Sequence, residues 1–346
     1  METAMKHIAL DLGSKESQLC VRTRQGEIIR EDRLQNAAIA NALKSTETGR
    51  VVLESSSEAF AVADIALALG HEVNIVPSGL ARTLGVGSRG VKTDKKDAQN
   101  LSMVSCRMEN LPQVHLPSLV ARERRALLTS RHQLVKSRTG MVNHVRGYLR
   151  TRLLKAPKGT RADNFSEKIR PFLEESPQGL PSYIDSILKT VEILHEQIKK
   201  LDEEVNVIAE SDEVCRRLMT VPGVGAITAL NFVAAVDDIK RFKSAHAVES
   251  YFGMVPGENS SGKTTLRTGL TKAGSSHIRT VMVQAAWCAW RTKTHHPMTD
   301  WATGLTDRRP KQVAVTALAR KMVGILFAIW RDGTTYDSQH GKKKEQ

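Results

Sequence analysis

Apolar and polar positions in the first hundred residues alternate between strand-like and helix-like periods. Short apolar runs that stop at a turn residue or an acid indicate strands, and longer runs with a spacing near 3.6 indicate helices. The predicted strands are Lys6–Leu12, Gln18–Arg22, Glu27–Arg33, Val51–Leu53 and Val73–Val76, and the predicted helices are Asn36–Leu43 and Ser57–Leu69. This order favours one mixed sheet covered by helices.

After Pro117 the pattern changes to long helices. Leu119–Leu154 and Pro181–Glu210 are predicted helices, joined by a polar, proline-containing connection at Ala156–Gly179. The second helix carries apolar residues three and four positions apart at Ile184, Ile187, Val191, Leu194, Ile198, Leu201, Val205 and Ile208. Such a heptad stripe predicts a coiled coil, either with the first long helix or with another subunit. A homo-oligomer, dimer or tetramer, is expected.

A further helical region begins near Asp212. The turn Val221–Gly225 precedes an apolar helix, Ala226–Val236, and resembles a helix-hairpin-helix. In such a motif Gly223 and Gly225 would let backbone N–H groups approach a DNA phosphate, although a plain tight turn explains the pattern equally well. Two more apolar helices are predicted at Ile278–Trp290 and Pro310–Trp330.

The expected fold class is α/β plus all-α. The predicted segments are 1–117 with the mixed sheet, 118–211 with the basic helix and coiled coil, 212–332 with the second helical region, and a basic tail at 333–346.

The charge balance narrows the choice of partner. The chain of 346 residues has 51 Lys and Arg against 37 Asp and Glu, a formal net charge of +14. Between Ser118 and Lys155 there are ten basic residues and one acid, Glu123. A basic helix of this kind is typical of proteins that bind the phosphates of nucleic acid. The candidate contacts are Arg122, Arg124, Arg125, Arg131, Lys136, Arg138, Arg146 and Arg150.

The cysteines and hydrophobic runs point to the reducing interior of a cell. Cys20, Cys106, Cys215 and Cys288 lie far apart and lack the spacing of metal ligands. No signal peptide or apolar run of transmembrane length is evident. We expect a cytoplasmic protein that makes no membrane contact.

Residues 257–264 spell the phosphate-binding pattern G-x-x-x-x-G-K-T. That motif works only as a turn between a buried strand and a helix. Here Pro256 interrupts the entry, and Gly269 and Gly274 would break a helix on the exit side. The segment is therefore expected to be a flexible, basic, hydroxyl-rich active-site loop, with a P-loop ATPase as an alternative. Its basic neighbours Lys263, Arg267, Lys272 and Arg279 are expected to contact nucleic acid.

Four acids stand at positions that suit metal binding. Asp11 ends the first strand, Glu54 ends the Val51–Leu53 strand, and Asp94 and Asp97 share one face if their segment is helical. Carboxylates at neighbouring strand ends and on a helix supply the hard oxygen ligands that Mg²⁺ prefers, with Mn²⁺ as a substitute. Two such ions could clamp the attacking and leaving oxygens of a phosphodiester.

These motifs resemble a known family. Ile8–Gly13, Val52–Glu54 and Lys92–Ala98 are similar to the D-E-D-D set of the RuvC-like, ribonuclease H fold domain in the DEDD transposases, relatives of the Piv-type DNA invertases. The second half is similar as well, at Val221–Gly225, Arg241-Phe242, Phe252–Pro256, Ser260–Gly262, Lys272-x-Gly274 and Ile278-Arg279. Ser275 departs from the asparagine that is usual there.

The resemblance implies a DNA recombinase. It implies Mg²⁺-dependent cleavage and rejoining of DNA strands to move an insertion sequence, with guidance by a bridge RNA. It also implies that Ser261, with Ser260 beside it, attacks the DNA backbone and forms a covalent link. The alternatives are a RuvC-type, structure-selective nuclease that uses the four acids and water, the P-loop ATPase, and a non-catalytic binding protein. A covalent protein–DNA adduct separates the recombinase from the nuclease.

Overall fold

The computed structural model describes residues 5–83, 93–261, 264–292 and 296–338. The chain divides into two compact units, and the division falls between Pro117 and Ser118. The first predicted segment ends at the same residue. The predicted segments 118–211 and 212–332 belong to a single compact unit, and most of the basic tail lies outside the described residues.

Unit 1 is built on a five-stranded mixed sheet. Its strands are β1 (Lys6–Leu12), β2 (Glu16–Arg22), β3 (Ile28–Gln35), β4 (Gly49–Glu54) and β5 (Glu72–Val76). The spatial order is β3-β2-β1-β4-β5, with β1, β2 and β3 antiparallel and β4 and β5 parallel to β1. The helices are α1 (Ile39–Lys44, after a 3₁₀ turn), α2 (Ala59–Ala68), α3 (Leu80–Thr83) and α4 (Asp94–Arg107).

The two faces of the sheet are both covered, because the central strands are apolar on each face. On one face Ile8 and Leu53 join a core with residues of α1 and α2. On the other face Ala9 and Val52 pack against Leu101 of α4. Alternate side chains of a strand point to opposite faces, so one short apolar run serves both layers. The predicted mixed sheet with covering helices is confirmed.

Unit 2 is mainly helical. Its helices are α5 (Leu119–Thr151), α6 (Phe165–Glu174), α7 (Ser182–Ser211), α8 (Glu213–Leu218), α9 (Ala226–Val236), α10 (Ala245–Tyr251), α11 (Ser276–Arg291), α12 (Pro297–Gly304) and α13 (Lys311–Asp332). An antiparallel hairpin of β6 (Pro256–Ser261) and β7 (Thr264–Leu270) lies between α10 and α11.

The apolar stripe of α7 packs against α5 of the same chain. Ile184 and Val191 share a core with Val145 in the second half of α5. Val205 shares a core with Leu128 in the first half of α5, so the two helices run antiparallel. The sequence allowed the stripe to pack either on the first long helix or on another subunit. The structure supports packing on the first long helix, α5. Supercoiling as a coiled coil stays a prediction.

The connection at 156–179 contains helix α6, which the sequence analysis did not predict. Phe165, Ile169 and Leu173 recur at a spacing of four and are each at most 1% exposed. Pro171 lies inside the helix and polar residues surround it, so the sequence pattern did not indicate a helix here. Proline costs a hydrogen bond within a helix, and burial of the apolar side chains offsets that loss here.

Helix α13 is long and apolar enough to cross a membrane by composition alone, although the sequence analysis expected no such run. Its Leu318, Met322 and Phe327 are at most 1% exposed within the core of unit 2. A buried core helix of a globular protein has the same composition, so α13 is weak evidence for a membrane span.

Candidate active site and nucleic-acid interface

The four predicted acids line one cavity of unit 1, which we call the acid cavity. Asp11 and Glu54 stand at the ends of β1 and β4, which are parallel neighbours with Leu10 opposite Leu53. The carboxyl ends of these strands therefore bring both acids to the same edge of the sheet. The cavity has a volume of about 590 Å³ and is lined by Asp11, Glu16, Gln18, Arg33, Glu54, Ser78, Gly79, Asp94, Asp97 and Asn100, among others.

Helix α4 brings the other two acids to this cavity. The Thr93 side chain accepts a hydrogen bond from the Lys96 N–H, at 3.3 Å, and so caps the helix that begins at Asp94. Residues at i and i+3 share a helix face, which puts Asp94 and Asp97 on the same side. Two buried contacts fix α4 on the sheet: Arg22 Nε donates to Ser102 Oγ at 2.8 Å, and His7 Nδ1 lies 2.8 Å from Ser105 Oγ.

The turn after β5 orients Glu54. The Gly79 N–H donates a hydrogen bond to Glu54 Oε1, at 3.1 Å. One oxygen of this carboxylate is thus held by the backbone, and the other oxygen can bind a ligand. This turn was not predicted, although Ser78-Gly79 lies directly after the end of a predicted strand and is a recognisable turn signal.

The acid cavity supplies hard oxygen ligands for a divalent cation. Within the part of the chain that the structure describes, no three His, Cys, Asp or Glu side chains are grouped closely enough to hold a metal ion as they stand. Mg²⁺ needs only one or two carboxylates, because water and substrate phosphate complete its shell. The donor set around this cavity therefore fits Mg²⁺ or Mn²⁺.

The segment predicted as a flexible active-site loop is the β6–β7 hairpin. Ser260 is paired with Thr265 and Ser261 with Thr264. The side chains of Ser260, Ser261 and Arg267, and the whole of Gly262 and Lys263, lie outside what the structure describes.

This hairpin is incompatible with a P-loop. A P-loop needs a helix after the glycine-rich turn, and strand β7 occupies that position. The ATPase alternative is therefore wrong.

Arg279 ties the foot of the hairpin to α11. Its Nη1 donates to the carbonyl oxygens of Phe252 (3.2 Å), Ala273 (2.8 Å) and Gly274 (3.2 Å). Phe252 precedes β6, and the other two residues follow β7. Arg279 thus joins the two ends of the hairpin segment. Lys272 beside them is exposed, so it remains available to nucleic acid.

Gly223 and Gly225 differ in their surroundings. Gly223 has a φ of +83°, and a Cβ there would lie 2.4 Å from the Ala285 oxygen and 2.6 Å from the Ala289 nitrogen. Gly223 is therefore required for packing against α11, and its approach to a phosphate stays a prediction. A Cβ on Gly225 would meet no described atom within 4 Å. Gly225 stays a candidate contact, and the helix-hairpin-helix stays a prediction.

Several arginines of the basic helix are engaged in contacts within unit 2. Arg124 pairs with Asp212 at 2.8 Å, and Arg131 pairs with Asp202. Arg125 donates from Nε to the Ala234 oxygen at 2.7 Å. These residues fix α5 against its neighbours, a role that the sequence analysis did not assign to them.

The remaining candidates on α5 fall into two groups. Arg138 Nη1 lies 3.2 Å from His195 Nδ1, and the Arg146 guanidinium stands 5.6 Å from the centroid of the Phe165 ring. Arg122 is half-buried. Lys136 and Arg150 are exposed, so they are the clearest candidates for phosphate contact on this helix.

Two family models match the chain. Residues 8–152 match a transposase model of the DEDD, IS110 type, and residues 215–300 match the model described as "Transposase IS116/IS110/IS902 family". The first match begins within β1 and includes all of α5. The second begins in α8 and includes the β6–β7 hairpin.

Curated relatives align along nearly the whole chain. The transposase for insertion sequence element IS1111A of Coxiella burnetii is 29% identical over 339 residues, covering 96% of this chain and 91% of the relative. A protein named "Probable family 20 transposase" of Pseudomonas aeruginosa is 25% identical, covering 96% and 98%. The transposase for element IS1328 of Yersinia enterocolitica is 24% identical, covering 95% and 98%.

Proposed function

Because the chain belongs to the IS110/IS116 family of transposases, we propose that it moves an insertion sequence by cleaving and rejoining DNA with its acid cavity and Ser261. The observation that carries this proposal is the common cavity of Asp11, Glu54, Asp94 and Asp97. Four carboxylates around one cavity, in a chain with a net charge of +14, suit the transfer of a phosphodiester.

The four carboxylates would hold the metal. Bound Mg²⁺ or Mn²⁺ would supply positive charge to the scissile phosphate and to the oxygens that enter and leave it. The Gly79 N–H keeps Glu54 directed toward the cavity edge. The capped first turn of α4 keeps Asp94 and Asp97 on one face.

Ser261 is the proposed nucleophile. A serine hydroxyl reacts only when it is activated. In the proposed step the Ser261 hydroxyl gives up its proton as Oγ bonds to phosphorus, and the bond from phosphorus to one sugar oxygen breaks. That oxygen takes up a proton and leaves with the departing strand as a sugar hydroxyl. Rejoining reverses this with the sugar hydroxyl of the incoming strand. Ser261 is the last residue of strand β6, and the similarity of Ser260–Gly262 to the serine motif of the family supports this role.

The partners follow from the family resemblance and the charge. DNA is the substrate, and a guide RNA is proposed on the resemblance of the D-E-D-D and serine motifs to the bridge-RNA-guided members. A homo-oligomer that acts on both element ends is proposed on the same ground. We place the protein in the bacterial cytoplasm, where its DNA substrate lies.

The test of this function is a denaturation-resistant protein–DNA adduct. Wild-type protein with Mg²⁺ and DNA carrying the element ends should retain a labelled strand after denaturation. Ser261→Ala should lose that adduct and still bind DNA, and Ser260→Ala should keep at least part of it, because neighbouring side chains in a strand point to opposite sides. The reverse pattern would move the nucleophile to Ser260.

A nuclease that uses water is the second candidate. It is favoured by one observation: the described residues that line the acid cavity, all four acids included, belong to unit 1. Strand cleavage that survives in both serine variants, with no adduct in wild-type protein, would establish this nuclease and exclude the serine mechanism.

A further inference from the structure

Unit 2 contains a second cavity, at the foot of the β6–β7 hairpin, which we call the foot cavity. It has a volume of about 250 Å³, and its walls come from α5, α9, the end of α10 and the start of α11. Arg125, Asn231, Tyr251, Phe252 and His277 are among the residues that line it. Gly274 also lines this cavity and packs directly against the Tyr251 backbone, since a Cβ on Gly274 would lie 2.4 Å from the Tyr251 oxygen.

Tyr251 presents a rigid aromatic ring at this cavity. The residue is 42% exposed. Its ring centroid lies 5.3 Å from that of Phe242 and 5.9 Å from that of Phe252, which is itself 1% exposed and packs 5.6 Å from Phe232. The ring is therefore braced by the core of unit 2. A braced ring can stack against a planar ligand at little cost in side-chain entropy.

One cation lies against this ring, and further exposed cations follow or precede its neighbours in the chain. The Arg241 guanidinium stands 5.0 Å from the Phe242 ring centroid and 5.4 Å from that of Tyr251. Lys240 and Lys243, on either side of this arginine-phenylalanine pair, are exposed. Lys272 is also exposed, and its N–H donates to the Gly253 oxygen at 3.1 Å, two residues beyond Tyr251. Aromatic rings set among cations suit a polyanion that carries planar groups.

The inner wall offers hydrogen-bonding atoms. Arg125 donates from Nε and Nη2 to the Ala234 and Ala235 oxygens, and Asn231 Nδ2 donates to the Ile227 oxygen. Within the described residues, no hydrogen bond uses Arg125 Nη1 or Asn231 Oδ1. These two atoms provide a donor and an acceptor, which is what the edge of a heteroaromatic ring requires.

We propose that the foot cavity is a subsite for an unpaired nucleobase, which stacks on Tyr251 while Lys240, Lys243 and Lys272 contact the flanking phosphates. This subsite rests on the proposed function only in that the strand belongs to the transposed DNA. Bases in a duplex are stacked on each other and cannot enter such a cavity. Unit 2 therefore binds a strand that has been locally unpaired near the hairpin.

The test uses the full-length protein and single-stranded DNA that contains 5-iododeoxyuridine, a base that crosslinks to aromatic side chains on irradiation. Peptide mapping should place a crosslink at Tyr251, and the matched duplex should give less of it. Tyr251→Leu should lower single-strand affinity about tenfold, or about 1.4 kcal/mol, within the range of losing one base–aromatic stack. Tyr251→Phe keeps the ring and should bind within about twofold of wild type. Tyr183→Leu, at another exposed tyrosine (57% exposed) of unit 2, is the matched control.

The affinities of the Tyr251 variants test the foot cavity separately from the transposase function. Equal affinity of Tyr251→Leu and wild-type protein, with matching thermal stability, would overturn the subsite and leave the transposase function intact. A loss in Tyr251→Phe as large as that in Tyr251→Leu would overturn stacking as the mode of binding. Wild-type protein that binds no DNA would overturn both proposals. Stronger dependence on Tyr251 for an RNA oligonucleotide of the same sequence would assign the base to a guide strand.

Discussion

Arg33 and Glu16 form an ion pair among the residues that line the acid cavity, with 2.6 Å between Arg33 Nη2 and Glu16 Oε2. The arginine side chain is 74% exposed. It is the one cation among the described residues around that cavity, which also include five carboxylates. A phosphate that enters this acidic site would be repelled unless positive charge accompanies it. Arg33 can supply part of that charge by exchanging Glu16 for the phosphate.

We therefore expect Arg33→Ala to weaken DNA binding about threefold to tenfold, a modest effect because an exposed charge is screened by solvent. Glu16→Gln should strengthen DNA binding, since it releases Arg33 from its partner. Fluorescence anisotropy without divalent metal measures both. Lys95→Ala is the control, because Lys95 pairs with Glu31 at 3.0 Å and is not among the residues that line the cavity. Equal losses in the Arg33 and Lys95 variants would show a general charge effect.

The four acids should act as one set. Asp11→Asn, Glu54→Gln and Asp97→Asn should each abolish strand cleavage, because each removes a charged oxygen ligand from the cavity. Mg²⁺ should raise the melting temperature of wild-type protein, since a ligand of the folded state stabilises it, and it should do so less in each variant. Glu47→Gln, at an exposed acid that pairs with Lys6, should cleave and melt as wild type. A cavity variant that cleaves normally would remove its residue from the site.

The sheet and the acids could be predicted because their signals are local. Asp11 and Glu54 each end a short apolar run, and Asp94 and Asp97 stand three apart after a capping threonine. The packing of Gly223 against α11 and the pairing of Arg131 with Asp202 could not be predicted, because both join residues that are far apart in sequence. For the same reason, no pattern marks Arg33 as a neighbour of the acids.

The exposed cations of α5 should contribute more to DNA binding than the paired ones. Lys136→Ala with Arg150→Ala should lower the slope of log affinity against log salt by up to about 0.9 for each phosphate that the protein no longer neutralises. Arg131→Ala should mainly lower thermal stability, because it leaves Asp202 without its partner. Binding titrations across a salt series, with parallel thermal melts, separate the two effects. An unchanged slope in the Lys136 and Arg150 double variant would exclude those residues as phosphate contacts.

His277 should make unit 2 less stable in mild acid. Burial lowers the pKa of His277 from its usual 6.5, and the nearby His132 and Arg131 lower it further. The unfolded chain therefore takes up a proton near pH 6.5 while folded His277 stays neutral, so stability falls as the pH drops below that value.

His277→Phe should reduce this dependence. Melting temperatures of both proteins from about pH 8 to about pH 5.5, a range that spans the ordinary titration of histidine, provide the comparison. His7 of unit 1 has a pKa lowered by burial and by Arg50, and its contribution is common to both proteins. Parallel curves for the two proteins would contradict the prediction.

Arg279 should act on the hairpin rather than on phosphate. Its Nη1 donates to three carbonyl oxygens at the two ends of the β6–β7 segment, in contacts that are exposed or only partly buried, so each is worth less than the roughly 1.5–3 kcal/mol of a full hydrogen bond to a charged group. Arg279→Ala should therefore loosen the hairpin, speed amide exchange over residues 256–270, and reduce adduct formation by Ser261. The salt slope of DNA binding should stay unchanged. Lys272→Gln is the matched comparison, since it removes an exposed charge from the same turn: it should lower the salt slope and leave amide exchange as in wild type. A lowered slope with unchanged exchange in Arg279→Ala would return Arg279 to the nucleic-acid interface, as the sequence alone suggested.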